Sequence, residues 1–135
     1  MKILKNTIGL ILISILLFGC GNYNPSDDDV VDLHGEITNF NKFQQFLNNI
    51  KLGNKQKIRV VRYTNEGDPL IHDLEYDGKK IISTIDTTRD EFGEQKIDTT
   101  SCKSIDIKEE ENRIEYVLLG CKNTKRQNTI LILRN

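Results

Sequence analysis

The sequence predicts an α+β fold, with one N-terminal amphipathic helix packed on an antiparallel sheet of five or six strands. Three observations predict it. Phe40, Phe43, Phe46, Leu47 and Ile50 recur at spacings of three and four, which is one face of a helix. From Lys57 onward the chain reads as β-branched runs separated by turn residues, with no second comparable helix. Asp77-Gly78 and a polar turn around Glu111 and Asn112 mark two hairpins, the tight connections that antiparallel strands use.

The helix lies in TNFNKFQQFLNNIKLG. Thr38 or Asn39 can cap its N-terminus, and Gly53 can close it after Lys51. Three phenylalanines on one stripe are packing residues rather than the wall of a cofactor pocket.

The strands follow in order. KIRVVRYT, residues 57–64, stops at NEGDP, a loop holding both Gly67 and Pro69. LIHDLEYDGKKIISTID then folds back about Asp77 and Gly78. Such a turn opposes Glu75 with Lys80, Leu74 with Ile81, His72 with Ser83, and Leu70 with Ile85. Leu70, Leu74, Ile81 and Ile85 then share one face, and Glu75 and Lys80 form an ion pair on the other. In the second hairpin, a turn centred between Glu111 and Asn112 sets Cys102 opposite Cys121, Ile105 opposite Leu118, and Ile107 opposite Tyr116. NTILILRN supplies a last buried strand.

The N-terminus carries the address. MKILKN is basic, and IGLILISILLF is an apolar run too short to cross a bilayer core of about 30 Å comfortably. A basic start, a short apolar run and a small residue at the cut describe an export signal. Leu17, Phe18, Gly19 and Cys20 resemble the lipobox of bacterial lipoproteins, and that resemblance implies cleavage after Gly19 and a diacylglyceryl group on the Cys20 sulfur. An uncleaved anchor, or an ordinary signal with a chance cysteine, is the alternative. The implied organisation is a signal peptide over residues 1–19, a lipidated cysteine and flexible tether over residues 20–32, and one α+β domain over residues 33–135. Asp27, Asp28 and Asp29 lack the alternating oxygens and later glutamate of a calcium loop, so they read as solvated spacer.

An exported domain meets an oxidising environment, and a Cys102–Cys121 disulfide fits both that setting and the hairpin register. Two free thiols or a metal pair are the rivals; the gap holds no clustered histidines to complete a zinc site. With Cys20 taken by lipid, the odd count of three cysteines resolves.

Composition excludes more than it suggests. The 135 residues fit one domain, and the formal charge of −1 becomes two units more negative once Lys2 and Lys5 leave with the signal. That mild balance does not imply a nucleic-acid partner. No tryptophan and 7% aromatics argue against a stacking platform for sugars or bases. No G-x-S-x-G, phosphate loop, G-x-G-x-x-G or C-x-x-C occurs, so no metal or cofactor is expected. The basic turn KNTKR, residues 122–126, reads as solvated.

One patch is rich in side chains that can do chemistry: Arg62, Glu66, Asp68, His72 and Asp73, with Asp86, Arg89 and Asp90 after them. A histidine beside carboxylates can act as a general base. Against this, His72 falls between Leu70 and Leu74 on the apolar face, where a core histidine bonded to Ser83 is the plainer account. His34 precedes a glycine turn, where a local hydrogen bond suffices.

The run from DLHGEITNF through RVVRYTNEGDPLIHDLEYDG and DTTRDEFG to TTSCKS and LLGC resembles a family of small Gram-positive membrane lipoproteins known only as a domain of unknown function. The resemblance spans about Asp29 to Cys121. It implies membrane attachment through Cys20 and a single secreted domain, and no reaction, ligand or partner. Two functions remain in view. One is a non-enzymatic binding module on the outer face of the plasma membrane, offering a sheet face or the loops around residues 66–68 and 89–93 to an envelope protein or small ligand. The other is a cell-envelope hydrolase built on His72 with Asp73, Asp86 or Arg89.

Overall fold

A computed structural model of the chain describes residues 23–135, so Cys20 and the signal segment lie outside the described residues. The elements are β1 (Val30–Leu33), β2 (Glu36–Thr38), α1 (Phe40–Leu52), β3 (Gln56–Tyr63), β4 (Pro69–Tyr76), β5 (Ile81–Asp86), β6 (Ile97–Cys102), β7 (Ser104–Glu110), β8 (Arg113–Leu119) and β9 (Thr129–Arg134). They form a six-stranded sheet ordered β2-β1-β3-β4-β5-β6 and a three-stranded sheet ordered β7-β8-β9. The described chain is therefore mostly β, nine strands in two sheets with one short helix. This corrects the expected single antiparallel sheet. The helix also follows two strands instead of leading the domain, and β1 runs parallel to β3, pairing Val30 with Val60 and Asp32 with Arg62.

Part of the segment expected to be flexible tether, residues 20–32, is built into the sheet. Residues 30–33 pair into the sheet, Val30 is fully buried, and the Asp29 carboxylate accepts from the Ser26 N–H and hydroxyl, each at 2.9 Å. The apolar pair Val30-Val31 carries enough burial to draw this segment into the fold, and the preceding aspartate acts as a turn residue.

Helix α1 sits where its periodicity places it. Phe43 and Phe46 are fully buried, and Phe40, Leu47 and Ile50 pack against the same core. Gly53 adopts the left-handed conformation and its N–H reaches back to Ile50 O at 3.1 Å, ending the helix. Asn39 is left-handed too, with φ 60°, and makes no side-chain cap. Its amide donates instead to Asp27 O and Asp29 O at 3.0 and 2.8 Å, tying the helix start to the N-terminal segment.

The β4–β5 hairpin keeps its faces but not its partners. Tyr76 pairs with Ile81, Leu74 with Ser83 and His72 with Ile85, two residues from the expected register. The cause lies in Asp77, whose carboxylate accepts from the Lys79 and Lys80 N–H groups at 2.9 Å each, opening a four-residue loop in place of a two-residue turn. A shift of two preserves side-chain alternation, so Leu74, Ile81 and His72 still point inward. The expected Glu75–Lys80 ion pair is replaced by Lys57–Glu75 at 3.3 Å.

The second hairpin matches its expected register, with Ile105 opposite Leu118 and Ile107 opposite Tyr116. Between β6 and β7 only Lys103 intervenes as the chain passes from one sheet to the other. The Cys102–Cys121 disulfide clips this corner, helped by Lys103 N–H to Leu119 O at 2.8 Å and Lys122 N–H to Ser101 O at 3.0 Å. Gly120 sits here at φ 63°, and a Cβ on it would come within 2.8 Å of the Lys103 side chain. In β9, an irregularity opposite Tyr116 and Val117 lets Thr129, Ile130 and Leu131 all be buried in succession. Both sheets and the helix share one core, with the Phe43 ring edge-on to Tyr116 at 5.0 Å.

Candidate functional site

Strand alternation gives the six-stranded sheet two faces of different character. The inner face carries Val60, Leu74, Ile81 and Cys102 in the core shared with the helix and the three-stranded sheet, and also the polar side chains Arg62, His72, Ser83, Asp98 and Thr100. The outer face carries two rows read directly from the register: Lys57, Glu75, Ile82 and Ser101, then Arg59, Asp73, Thr84 and Thr99.

His72 belongs to the inner face and is 2% exposed. Its Nε2 lies 2.6 Å from Ser83 Oγ, a diagonal contact across the shifted register. Arg126 donates to the same oxygen. Because a guanidinium only donates, Ser83 accepts from Arg126, and a second lone pair or its own hydrogen serves the His72 contact according to the imidazole tautomer. The His72 Nδ1 is buried with no hydrogen-bond partner among the described residues. Burial above all, then the charges of Arg62 and Arg126, depress the His72 pKa to about 3. No hydrogen bond joins it to a carboxylate among the described residues.

Arg126 is the residue that sequence reasoning missed. The turn holding it reads as solvated basic chain, yet its side chain is 9% exposed and reaches Asp98 Oδ1 at 3.0 Å, Asp98 O at 3.1 Å and Ser83 O at 3.3 Å. A signal was available. Asp98 falls on the inner face in line with Thr100 and Cys102, and an inward carboxylate needs a cation.

The expected patch of reactive side chains is divided. Arg62 turns inward with His72 and borders a pocket of about 400 Å³ with Asp32, His34 and Gln127. Burial holds its guanidinium below the ordinary value, opposed by the Asp32 charge. Glu66 is exposed at its loop. Asp68 accepts from the Glu91 N–H at 2.9 Å and so ties the 64–68 loop to the 87–96 loop. The Asp86 carboxyl is held below its usual range first by the Thr88 hydroxyl, 2.6 Å away, and meets Arg89 at 3.4 Å. Arg89 also covers the Tyr23 ring, 5.2 Å from its centroid. Asp73 points to the outer face, where Arg59 grips it through Nε at 2.6 Å and Nη2 at 2.8 Å. Asp90 accepts from the Phe92 N–H at 3.2 Å. His34 occupies the β1–β2 turn at φ 55°, beside the Gly35 N–H that donates to Asp32 Oδ1 at 2.8 Å.

The β3, β4 and β5 members of the outer rows, with Asp28, Lys42 and Gln45, border an open groove of about 700 Å³. Its charges are paired across it: Lys42 with Asp28, Lys57 with Glu75, and Arg59 with Asp73. Ile82 adds an apolar patch to the floor. Such a surface can hold a polar partner by exchanging its ion pairs for new ones. Among the described residues, no cluster of three or more histidine, cysteine or acidic side chains is placed to hold a metal.

No curated protein and no solved structure matches the chain at a significant level. A family model does match, over residues 27–117, a span that opens at the aspartates gripping the helix start and ends within β8. The chain belongs to the family described as Domain of unknown function (DUF4362).

Proposed function

We propose that this chain is a lipid-anchored binding module, fastened by a diacylglyceryl group on Cys20 to the outer face of the plasma membrane, which offers its outer-sheet groove to an envelope partner without catalysing a reaction. The observation that carries the binding reading is the contrast between the two sheet faces. The buried His72 meets arginines and a serine with its pKa at about 3, which leaves it unfit as a base at neutral pH. The outer groove is open, polar and internally charge-balanced. A hydrolase built on His72 finds no support in that arrangement. The anchor reading rests on the basic start, the short apolar run and the residues 17–20 that resemble a lipobox. Two acyl chains hold a protein to a bilayer where one alone is marginal.

The test is made on protein from its native membrane. Mass spectrometry is expected to find a mature N-terminus at a lipidated Cys20, and Cys20→Ala should move the protein to the soluble fraction. Affinity capture from envelope extracts should yield a partner that Arg59→Glu loses, since that change sets two carboxylates against each other in the groove. An intact Met1 terminus defeats the anchor; a partner indifferent to Arg59→Glu defeats the groove.

A further inference from the structure

We infer that the end of the six-stranded sheet bearing the 87–96 loop rests on the lipid surface, with Phe92 inserted at the boundary between headgroups and acyl chains. The inference rests on the anchor at Cys20 proposed above. Tyr23 follows Cys20 by three positions, a reach of about 11 Å at most. Tyr23 is not free to wander. Its hydroxyl lies 3.3 Å from Arg59 Nη1 and 3.4 Å from Asp29 Oδ2, and Arg89 covers its ring. On the proposed anchor, a lipid within that reach of Tyr23 would lie close to the outer face beside the 87–96 loop, with only a few residues between membrane and domain.

The surface at that place is apolar where it need not be. Phe92 is 75% exposed, although its loop is well tied. Thr87 N–H donates to Lys96 O at 2.9 Å, Glu91 N–H to Asp68 and Phe92 N–H to Asp90. A ring held outward by an ordered loop has no partner within the described chain. Ile97, 63% exposed, starts β6 on the outer face, in the row of Val31, Val61, Ile71 and Asp86. Leu33, 51% exposed, lies at the same end of the sheet, at the close of β1. Three exposed apolar side chains thus lie at this end of the sheet, Leu33 on β1 and Ile97 on β6 four strand spacings apart, about 19 Å.

The loop's charges choose the kind of contact. Asp90, Glu91 and Glu94 outnumber Arg89 and Lys96, so anionic headgroups are not the attractant, and the contact is apolar. Its consequence is orientation. The groove rows of Arg59 and Lys57 lie on the same face, two and four residues further along the strand than Val61, about 7 and 13 Å from that row towards the other end of the sheet.

The chain has no tryptophan, so Phe92→Trp in the full chain is a clean reporter. Leu52→Trp is its comparator, because Leu52 is 64% exposed but ends the helix at the opposite end of the sheet, before β3 begins. Each variant is taken from its membrane and reconstituted in phosphatidylcholine vesicles, with or without lipid brominated near the headgroup. The indole fluorescence of Phe92→Trp should be quenched about twofold or more and shift to the blue, since an interfacial side chain lies about 5–10 Å deep. That of Leu52→Trp should change little. Protein that fails to float with the vesicles overturns the anchor and this inference together. Floating protein in which Phe92→Trp stays unquenched, or is quenched no more than Leu52→Trp, overturns the inference alone.

Discussion

Imidazole at position 72 is held neutral by burial and by two nearby guanidinium groups, Arg62 and Arg126. The unfolded chain exposes the same ring at an ordinary pKa of about 6.5. Because the folded value is the lower one, the unfolded state binds the proton more readily between the two. The stability is therefore intact above about pH 6.5 and falls as the pH drops towards 3, by about 1 kcal/mol per unit. Urea unfolding at pH 7 and pH 5 should show a loss of about 2 kcal/mol in the native protein that is largely missing in His72→Gln. Equal losses in both would show that other groups govern the slope. Local sequence reached the pairing of His72 with Ser83, but through a register that the Asp77 loop then displaced. The contact survived because a slip of two leaves side chains on the same face and a long imidazole can reach diagonally.

Among the elements, the corner from β6 to β7 depends most on one covalent bond. A single residue, Lys103, carries the chain between sheets, and the disulfide closes a segment separated by 19 positions. In the chain-entropy account, a closure of that size contributes about 3 kcal/mol. Dithiothreitol should lower the melting temperature by at least about 10 °C, and a Cys102→Ala/Cys121→Ala chain should reproduce the shift without responding to reductant. An unchanged transition would mean the corner is held by its backbone bonds alone. Helix α1 was readable because its signal is local: five apolar residues at helical spacing, closed by Gly53. Strand β1 was not. Four residues after a polar run carry little periodicity, and their partner β3 lies about 30 residues away.

For the molecule as a whole, the three-stranded sheet meets the helix through the Phe43–Tyr116 contact and the six-stranded sheet through Arg126, which leaves the loop before β9 to grip Ser83 and Asp98. Arg126→Met should cost about 3 kcal/mol in urea unfolding, because it leaves Asp98 facing inward without its cation, and Asp98→Asn on that background should recover part of the loss. No recovery would place the cost in lost packing. The sequence by itself determined the helix and its buried stripe, the second hairpin register and the cysteine pairing, since each depends on residues close in the chain or on simple alternation. Tertiary structure alone decided the split into two sheets, the parallel docking of β1, the burial of Arg126 and the scattering of the reactive patch over two faces. Those outcomes depend on contacts between distant segments, and which face an isolated strand buries is set by the partners that cover it.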